Sequence, residues 1–226
     1  MLRALESERK VEQEFVERAR ATESAPKGWP AALLMFHLGM WRERMRDSLS
    51  ELAEGKAPTP PPPIEQQDEL NDRELAHGIG TPLLDAAARS DHLLGEIIEL
   101  YRKVGDQPFE WYRWKTTTDA VLGNSYTHAR IHIYEYLREN GDHERANRLF
   151  EDAVPEMKEA SSSPLVHGAA VYNLACVRSN QGRADEAIEL LAYALDLRPD
   201  LKPSAPTDSD LEPLWHNPRF QELVKT

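Results

Sequence analysis

The chain is poor in cysteine, in strand signals, in long apolar runs and in net positive charge. Its single cysteine, Cys176, rules out an internal disulfide and fits a reducing compartment. No long alternation of apolar and polar residues appears, and no Asn-Gly or Asp-Gly turn joins apolar runs, so a sheet-based fold is not expected. The longest apolar stretch, residues 31–41, is broken by His37 and Gly39 and is too short to cross a bilayer. Residues 1–10 are charged and lack the apolar centre of a secretory signal, so a cytoplasmic location is expected. Lys and Arg number 27 against 39 Asp and Glu, a net charge of -12. Such a surface repels phosphate backbones and anionic lipid, which argues against nucleic-acid and membrane partners.

What the sequence does have is helical periodicity. Leu2, Leu5, Phe15, Val16 and Ala19 mark one face of a first helix whose other face is read as charged. Pro30 suits the start of a second helix. Leu33, Leu34, His37, Leu38, Trp41, Met45, Leu49 and Leu52 follow at three- and four-residue steps, to an end near Gly55. Residues 57–64 read APTPPPPI, which forbids a helix and favours an extended segment. The connection through residues 55–80 is therefore expected to be a long crossover between helices two and three. A surface linker and a ligand for a proline-binding partner are both consistent with it. A third helix is expected over residues 81–104, with Leu84, Ala87, Ala88, Leu94, Ile97, Ile98 and Tyr101 inward. A loop containing Trp111-Tyr112-Arg113-Trp114 follows. Thr116, three residues before Asp119, then resembles a capping box that starts a fourth helix.

Beyond residue 140 the chain repeats itself. Gly141, Glu144, Ala146, Leu149, Phe150, Ala153 and Val154 align at a constant offset with Gly182, Asp185, Ala187, Leu190, Leu191, Ala194 and Leu195. Small residues at matched positions allow close helix packing. Leu211, Leu214, Trp215, Phe220 and Leu223 suit a short terminal cap. Because the repeat phase runs back into the fourth helix, that helix is expected to serve both parts, with no flexible linker at residues 140–143.

The candidate chemistry rests on histidine. His128 and His132 lie four residues apart, which puts both rings on one face of a helix where they can share an ion. With eight histidines in the chain, roughly 0.3 such pairs arise by chance, and the plain alternative is two polar residues on a surface helix. His37 sits between Phe36 and Leu38 in the most apolar stretch, where its ring nitrogens need partners. Alone it is a hydrogen-bonded core histidine. Facing the pair across a bundle, it completes a three-imidazole site for a divalent ion with open positions. Asn124, one turn earlier, is placed to orient a ring or a bound water. His77, His92, His143, His167 and His216 have no partner at ligand spacing. Cys176 reads as a small packing residue.

At these residues the chain resembles the DinB-like superfamily, specifically its ClbS/DfsB-like branch. Trp29-Pro30, His37-Leu38 and Trp41 carry the resemblance in the second helix. The acidic run at residues 68–74 carries it before the third. Tyr112, Trp114, residues 124–128 and His132 carry it around the fourth. The resemblance covers roughly residues 1–140 and implies a four-helix bundle, often dimeric, with a metal held by His37, His128 and His132. It also implies metal-dependent chemistry on a small electrophilic molecule, by thiol transfer or hydrolysis, with Zn or Ni as the ion and a low-molecular-weight thiol as cosubstrate. Ala129 stands where relatives carry an aromatic, which leaves the ligands intact and alters the pocket. Tyr172-Asn173-Leu174-Ala175-Cys176 with Gly182, Ala187 and Ala194 resembles a tetratricopeptide repeat. The expected architecture is thus all-α: residues 1–141 as a metal-binding DinB-like bundle, and residues 142–226 as a TPR-like hairpin with a cap. The competing function is a non-catalytic scaffold that recruits a protein partner through the repeat, with a structural or vestigial metal.

Overall fold

The computed structural model describes residues 1–22 and 26–225. These are overwhelmingly helical, with one two-stranded sheet, so the all-α class holds. No described helix is long and apolar enough to cross a membrane. The chain divides into two compact units, Met1–Ala146 and Asn147–Thr226.

The first unit is built on α1 (Leu2–Ala21), α2 (Ala31–Ala53), α3 (Gln67–Gly78), α4 (Leu83–Val104), α5 (Thr117–Leu122) and α6 (His128–Glu139). α2 packs along α4, while α1 lies against α4 and α6. Leu34, Met35, Leu38, Met45 and Leu49 of α2 and Leu94, Ile97 and Ile98 of α4 are almost fully buried. On α4 the inward stripe begins with Ala86, Ser90 and Leu93, and Leu84, expected inside, is exposed. α2 ends where Gly55 takes a positive φ of 74°, and the Lys56 N–H reaches back to the Glu51 carbonyl at 2.9 Å. That reversal closes the orphan carbonyls of the last turn.

The crossover is long, as the prolines require, but it is not all extended. Residues 54–63 are irregular, and Thr59 folds back onto the end of α2: its hydroxyl donates to Glu51 at 2.9 Å and its carbonyl accepts from Ser48 at 2.9 Å. The chain then forms α3, which the acidic composition had not declared as a helix. α3 lies on α2 through Trp41 Nε1 to Asn71 at 3.2 Å and through the Arg44–Glu74 ion pair at 2.5 and 2.6 Å. The loop expected around residues 111–114 is instead a hairpin of β1 (Pro108–Trp111) and β2 (Trp114–Thr116). Its turn puts Tyr112 at a φ of 53°, which is costly for an aromatic residue. Thr116 does cap α5, accepting from the Asp119 N–H at 3.2 Å.

The largest departure lies in α1. Glu8 and Glu12, which the apolar stripe of the first helix did not include, are buried in line with Leu5 and Phe15. Arg42 grips the Glu12 carboxylate with both terminal nitrogens, and also donates to Ser90 Oγ at 2.8 Å and the Ser125 carbonyl at 3.1 Å. Arg130 donates to Glu8 at 2.7 Å and stacks 4.1 Å from the Tyr126 ring centre. Burial drives the Glu8 carboxyl up to about 7, with Arg130 opposing the shift.

In the second unit, α8 (Pro164–Asn180) and α9 (Ala184–Leu197) form a hairpin, and α7 (His143–Ala160) precedes them. Val171, Tyr172, Ala175 and Cys176 meet Ala187, Ile188, Leu191, Ala194 and Leu195. Leu211, Leu214 and Phe220, from the turns and from α10 (Pro218–Val224), join this core. The repeat is visible in the backbone. Gly141 and Gly182 both have positive φ, 82° and 73°. The following N–H reaches back five residues in each case: Asp142 to Leu137 at 2.8 Å, Arg183 to Arg178 at 2.9 Å.

Candidate metal centre

α2 contributes His37 and α6 contributes His128 and His132, and their ligand atoms lie within 4.8 Å of one another. His128 Nε2 is 3.1 Å from His37 Nε2 and 3.0 Å from His132 Nε2. His37 is buried, and the other two are partly so. Three nitrogens each bound about 2.0–2.1 Å from one ion stand roughly 3 Å apart, so the spacing fits a shared ion.

The second nitrogens show what the first ones present. His132 Nδ1 lies 3.1 Å from Glu135 Oε2. A carboxylate only accepts, so Nδ1 donates there and Nε2 is the nitrogen turned toward the other two rings. The His128 ring bonds the backbone of Asn124 in the sense that favours its protonated form; the acceptor is the carbonyl, and Nε2 again faces inward. Burial pushes His37 down to about 3, with help from His132 and Arg44, and holds His128 well below the ordinary histidine range. His37 Nδ1 is buried with no hydrogen-bond partner among the described residues.

Local backbone sets these positions. Between α5 and α6, residues Gly123–Thr127 form a π-turn, and the His128 N–H bonds Gly123 instead of the carbonyl four residues back. One extra residue in the turn shifts the register of α6. The close approach of the hairpin makes Gly123 necessary: a Cβ there would lie 2.4 Å from Trp114 Nε1. The Asn124 side chain is spent on the Trp41 carbonyl at 3.1 Å and accepts from the Ser125 hydroxyl at 2.9 Å. It is the Asn124 backbone, not its side chain, that orients His128.

Aromatic rings frame the site. Trp29 stacks on His132 at 5.9 Å and 15°, and meets His37 edge-on at 5.3 Å. Trp41 stands edge-on to His128 at 6.1 Å, with Tyr112 beyond it at 6.5 Å. Periodicity had placed the three histidines and Trp41 but not Glu135. The signal for Glu135 was its place three residues after His132, on the same helix face.

The remaining histidines take no part. His77, His92, His143 and His216 are exposed, and His167 bonds the Ser161 carbonyl at 2.6 Å. A second grouping, Cys176 with Asp208 and Asp210, also lies within 4.8 Å. There Asp208 accepts from the Tyr172 hydroxyl at 2.9 Å and from the Asp210 N–H at 3.0 Å, as a helix cap does. No family model, curated protein or solved structure matches the chain.

Proposed function

We propose that the first unit is a metal-dependent enzyme of the DinB-like kind, and that it acts on a small electrophilic molecule by thiol transfer or hydrolysis. The observation that carries this reading is the set of three inward-facing Nε2 atoms, two of them with their outer nitrogens fixed by Glu135 and the Asn124 backbone. Zn or Ni suits a three-imidazole set. A divalent ion there supplies Lewis acidity, lowering the pKa of a water or thiol at its open positions. His37, His128 and His132 hold it. Glu135 keeps His132 in the right tautomer and strengthens it as a donor. Trp29 and Trp41 pack against the rings, and a cavity opens beside His132.

The test is to incubate metal-loaded protein with low-molecular-weight thiols and aryl or alkyl electrophiles, and to follow products by mass spectrometry. Thiol adducts support transfer, and hydrolysed product without thiol supports hydrolysis. No turnover over a broad panel, together with a metal that only raises the melting temperature, favours the scaffold reading. In that case the TPR-like second unit would carry the function by recruiting a protein partner.

A further inference from the structure

A cavity of about 340 Å³ opens beside His132, lined by Gly28, Trp29, His132, Glu135, Tyr136 and Glu139. That volume is in the range of small-molecule sites. Its charge is one-sided. Two carboxylates line it, and no Lys or Arg is among the described lining residues. It follows one face of α6 from His132 to Glu139, seven residues or about 10 Å at the helical rise. Its far end is the C-terminal turn of α6, where the helix dipole favours positive charge.

The walls are held in place. Glu139 lies against the Gly28 backbone so closely that a Cβ on Gly28 would stand 2.0 Å from Glu139 Oε2. Gly28 has a φ of 68°, which only glycine adopts freely. The Lys27 N–H donates to Asn140 Oδ1 at 2.9 Å, pinning the loop to the end of α6. Trp29 is therefore presented by an anchored loop, 39% exposed despite its size. Tyr136 is braced edge-on by Phe15 at 5.0 Å. An indole face is the best aromatic partner for a cation. Aromatic walls, two carboxylates and a helix C-terminus select the same ligand chemistry.

We propose that this cavity binds the cationic end of an organic ammonium or amidinium ligand, between the Trp29 indole and the Glu135 and Glu139 carboxylates, with the rest of the molecule directed toward the three histidines. The enzyme reading above is needed only for what happens at the histidine end; the charge preference stands on the lining. Glu135 serves both sites, holding His132 and facing the ligand, so Glu139 is the cleaner position to test. A carboxylate-bearing thiol is disfavoured in this cavity, which narrows the cosubstrates to neutral or cationic ones.

The test uses the full chain, metal-free and Zn-loaded, labelled with ¹⁵N, with the Trp29 indole N–H signal assigned by its loss in Trp29→Phe. The probes are benzylammonium, benzyl alcohol and benzoate. Benzylammonium is expected to shift the Trp29 signal saturably, about ten-fold tighter than benzyl alcohol, with Glu139→Gln removing most of that advantage. Benzoate is expected to leave the signal unmoved, and added salt to weaken benzylammonium. The proposal is overturned if benzyl alcohol or benzoate binds as tightly as benzylammonium, if Trp29 does not respond, or if Glu139→Gln changes nothing. Failure of the enzyme reading would instead appear as absent turnover with these titrations intact.

Discussion

The two units solve the problem of an interior in opposite ways. In the second, the core joining α8 and α9 is Val171, Ala175, Ile188, Leu191, Ala194, Leu195 and their neighbours. Its buried polar side chains among the described residues are Ser179 and Arg198, and Arg198 is answered by Asp200 at 2.8 Å. In the first unit, Glu8, Glu12, His37, Arg42, Ser90, Asn124, Ser125 and Arg130 all lie inside. Apolar burial stabilises wherever it occurs. A buried ion pair rarely adds net stability, because desolvation offsets the attraction. The teaching is that the first interior is organised around position. Arg42 ties α1, α2, α4 and the π-turn together at Glu12, Ser90 and the Ser125 carbonyl, and the π-turn aims His128. The second interior needs only to be filled.

The sharpest break between the units is metal. Reconstituted protein is expected to bind one divalent ion, and His37→Ala, His128→Ala or His132→Ala to abolish that equivalent, read by elemental analysis of desalted protein. At an ion concentration a thousand times Kd, binding stabilises the folded state by about 4 kcal/mol, so a marked fall in melting temperature accompanies chelation of the wild type but not of the variants. Metal retained in His128→Ala would separate the cluster from ion binding.

A second break concerns charge against volume. Arg42→Ala leaves the Glu12 carboxylate buried and unanswered, and is expected to cost about 3–5 kcal/mol in denaturant unfolding. Replacing the pair together, Arg42→Met with Glu12→Leu, is expected to recover most of that stability while lowering metal affinity, because the π-turn loses its guanidinium. In the second unit Leu191→Ala is expected to cost about 2–5 kcal/mol by cavity formation and to leave metal affinity unchanged. Equal loss of metal affinity in both variants would mean that Arg42 acts through stability alone.

A third, smaller effect is the pH dependence of Glu8. Its folded pKa is raised from 4.5 to about 7, burial being the largest cause. A group raised in the folded state binds the proton more tightly there, so its contribution is complete below 4.5 and is lost as pH rises to about 7. His37, depressed to about 3, acts in the opposite sense, contributing above 6.5 and losing that contribution as pH falls. The two overlap, so the informative quantity is the stability of the metal-free wild type minus that of Glu8→Gln. It is expected to fall between pH 4.5 and 7 and then level off. A flat difference would mean that Glu8 is ionised throughout.

Much of this was legible in the sequence because histidine spacing and apolar periodicity are local. His128 and His132 needed only a helix, and Thr116 needed only its place before Asp119. Glu8, Glu12, Arg42 and Arg130 went unnoticed as interior residues because charge is ordinarily a sign of solvent. Their phase was available: Glu8 and Glu12 fall in the stripe of Leu5 and Phe15, and Arg42 in that of Leu38 and Met45. The π-turn was not legible, because the signal for it is a contact, Trp114 of the preceding strand closing on Gly123, and not a spacing. The β1–β2 hairpin escaped because its turn uses Tyr112 at positive φ, where glycine or asparagine would have announced it. α3 has strong helix formers but little apolar surface, and its partner Trp41 lies far back in the chain. The charge of the cavity was hidden for the same reason: Gly28 and Glu139 are brought together only by the fold.

The smallest expected effect tests whether the second unit holds any chemistry of its own. Cys176 is buried against Tyr172 and Leu211 in an apolar cluster, with its sulfur 3.9 Å from Asp208 Oδ2. Asp208 also accepts from the Tyr172 hydroxyl and the Asp210 N–H, so the thiol is a weak further donor to a carboxylate that caps the turn. Cys176→Ala removes one sulfur from that cluster and is expected to cost about 1 kcal/mol, with metal stoichiometry still one. Asp208→Ala removes both the cap and a charged hydrogen-bond acceptor, and is expected to cost more, on the order of 2 kcal/mol. Thiol reagents are expected to label the folded wild type only as fast as the second unit opens, since a buried thiol is reached through opening. A second metal equivalent lost with Cys176→Ala, or rapid labelling of the folded protein, would make Cys176 and Asp208 a site and end the contrast between a working interior and a filled one.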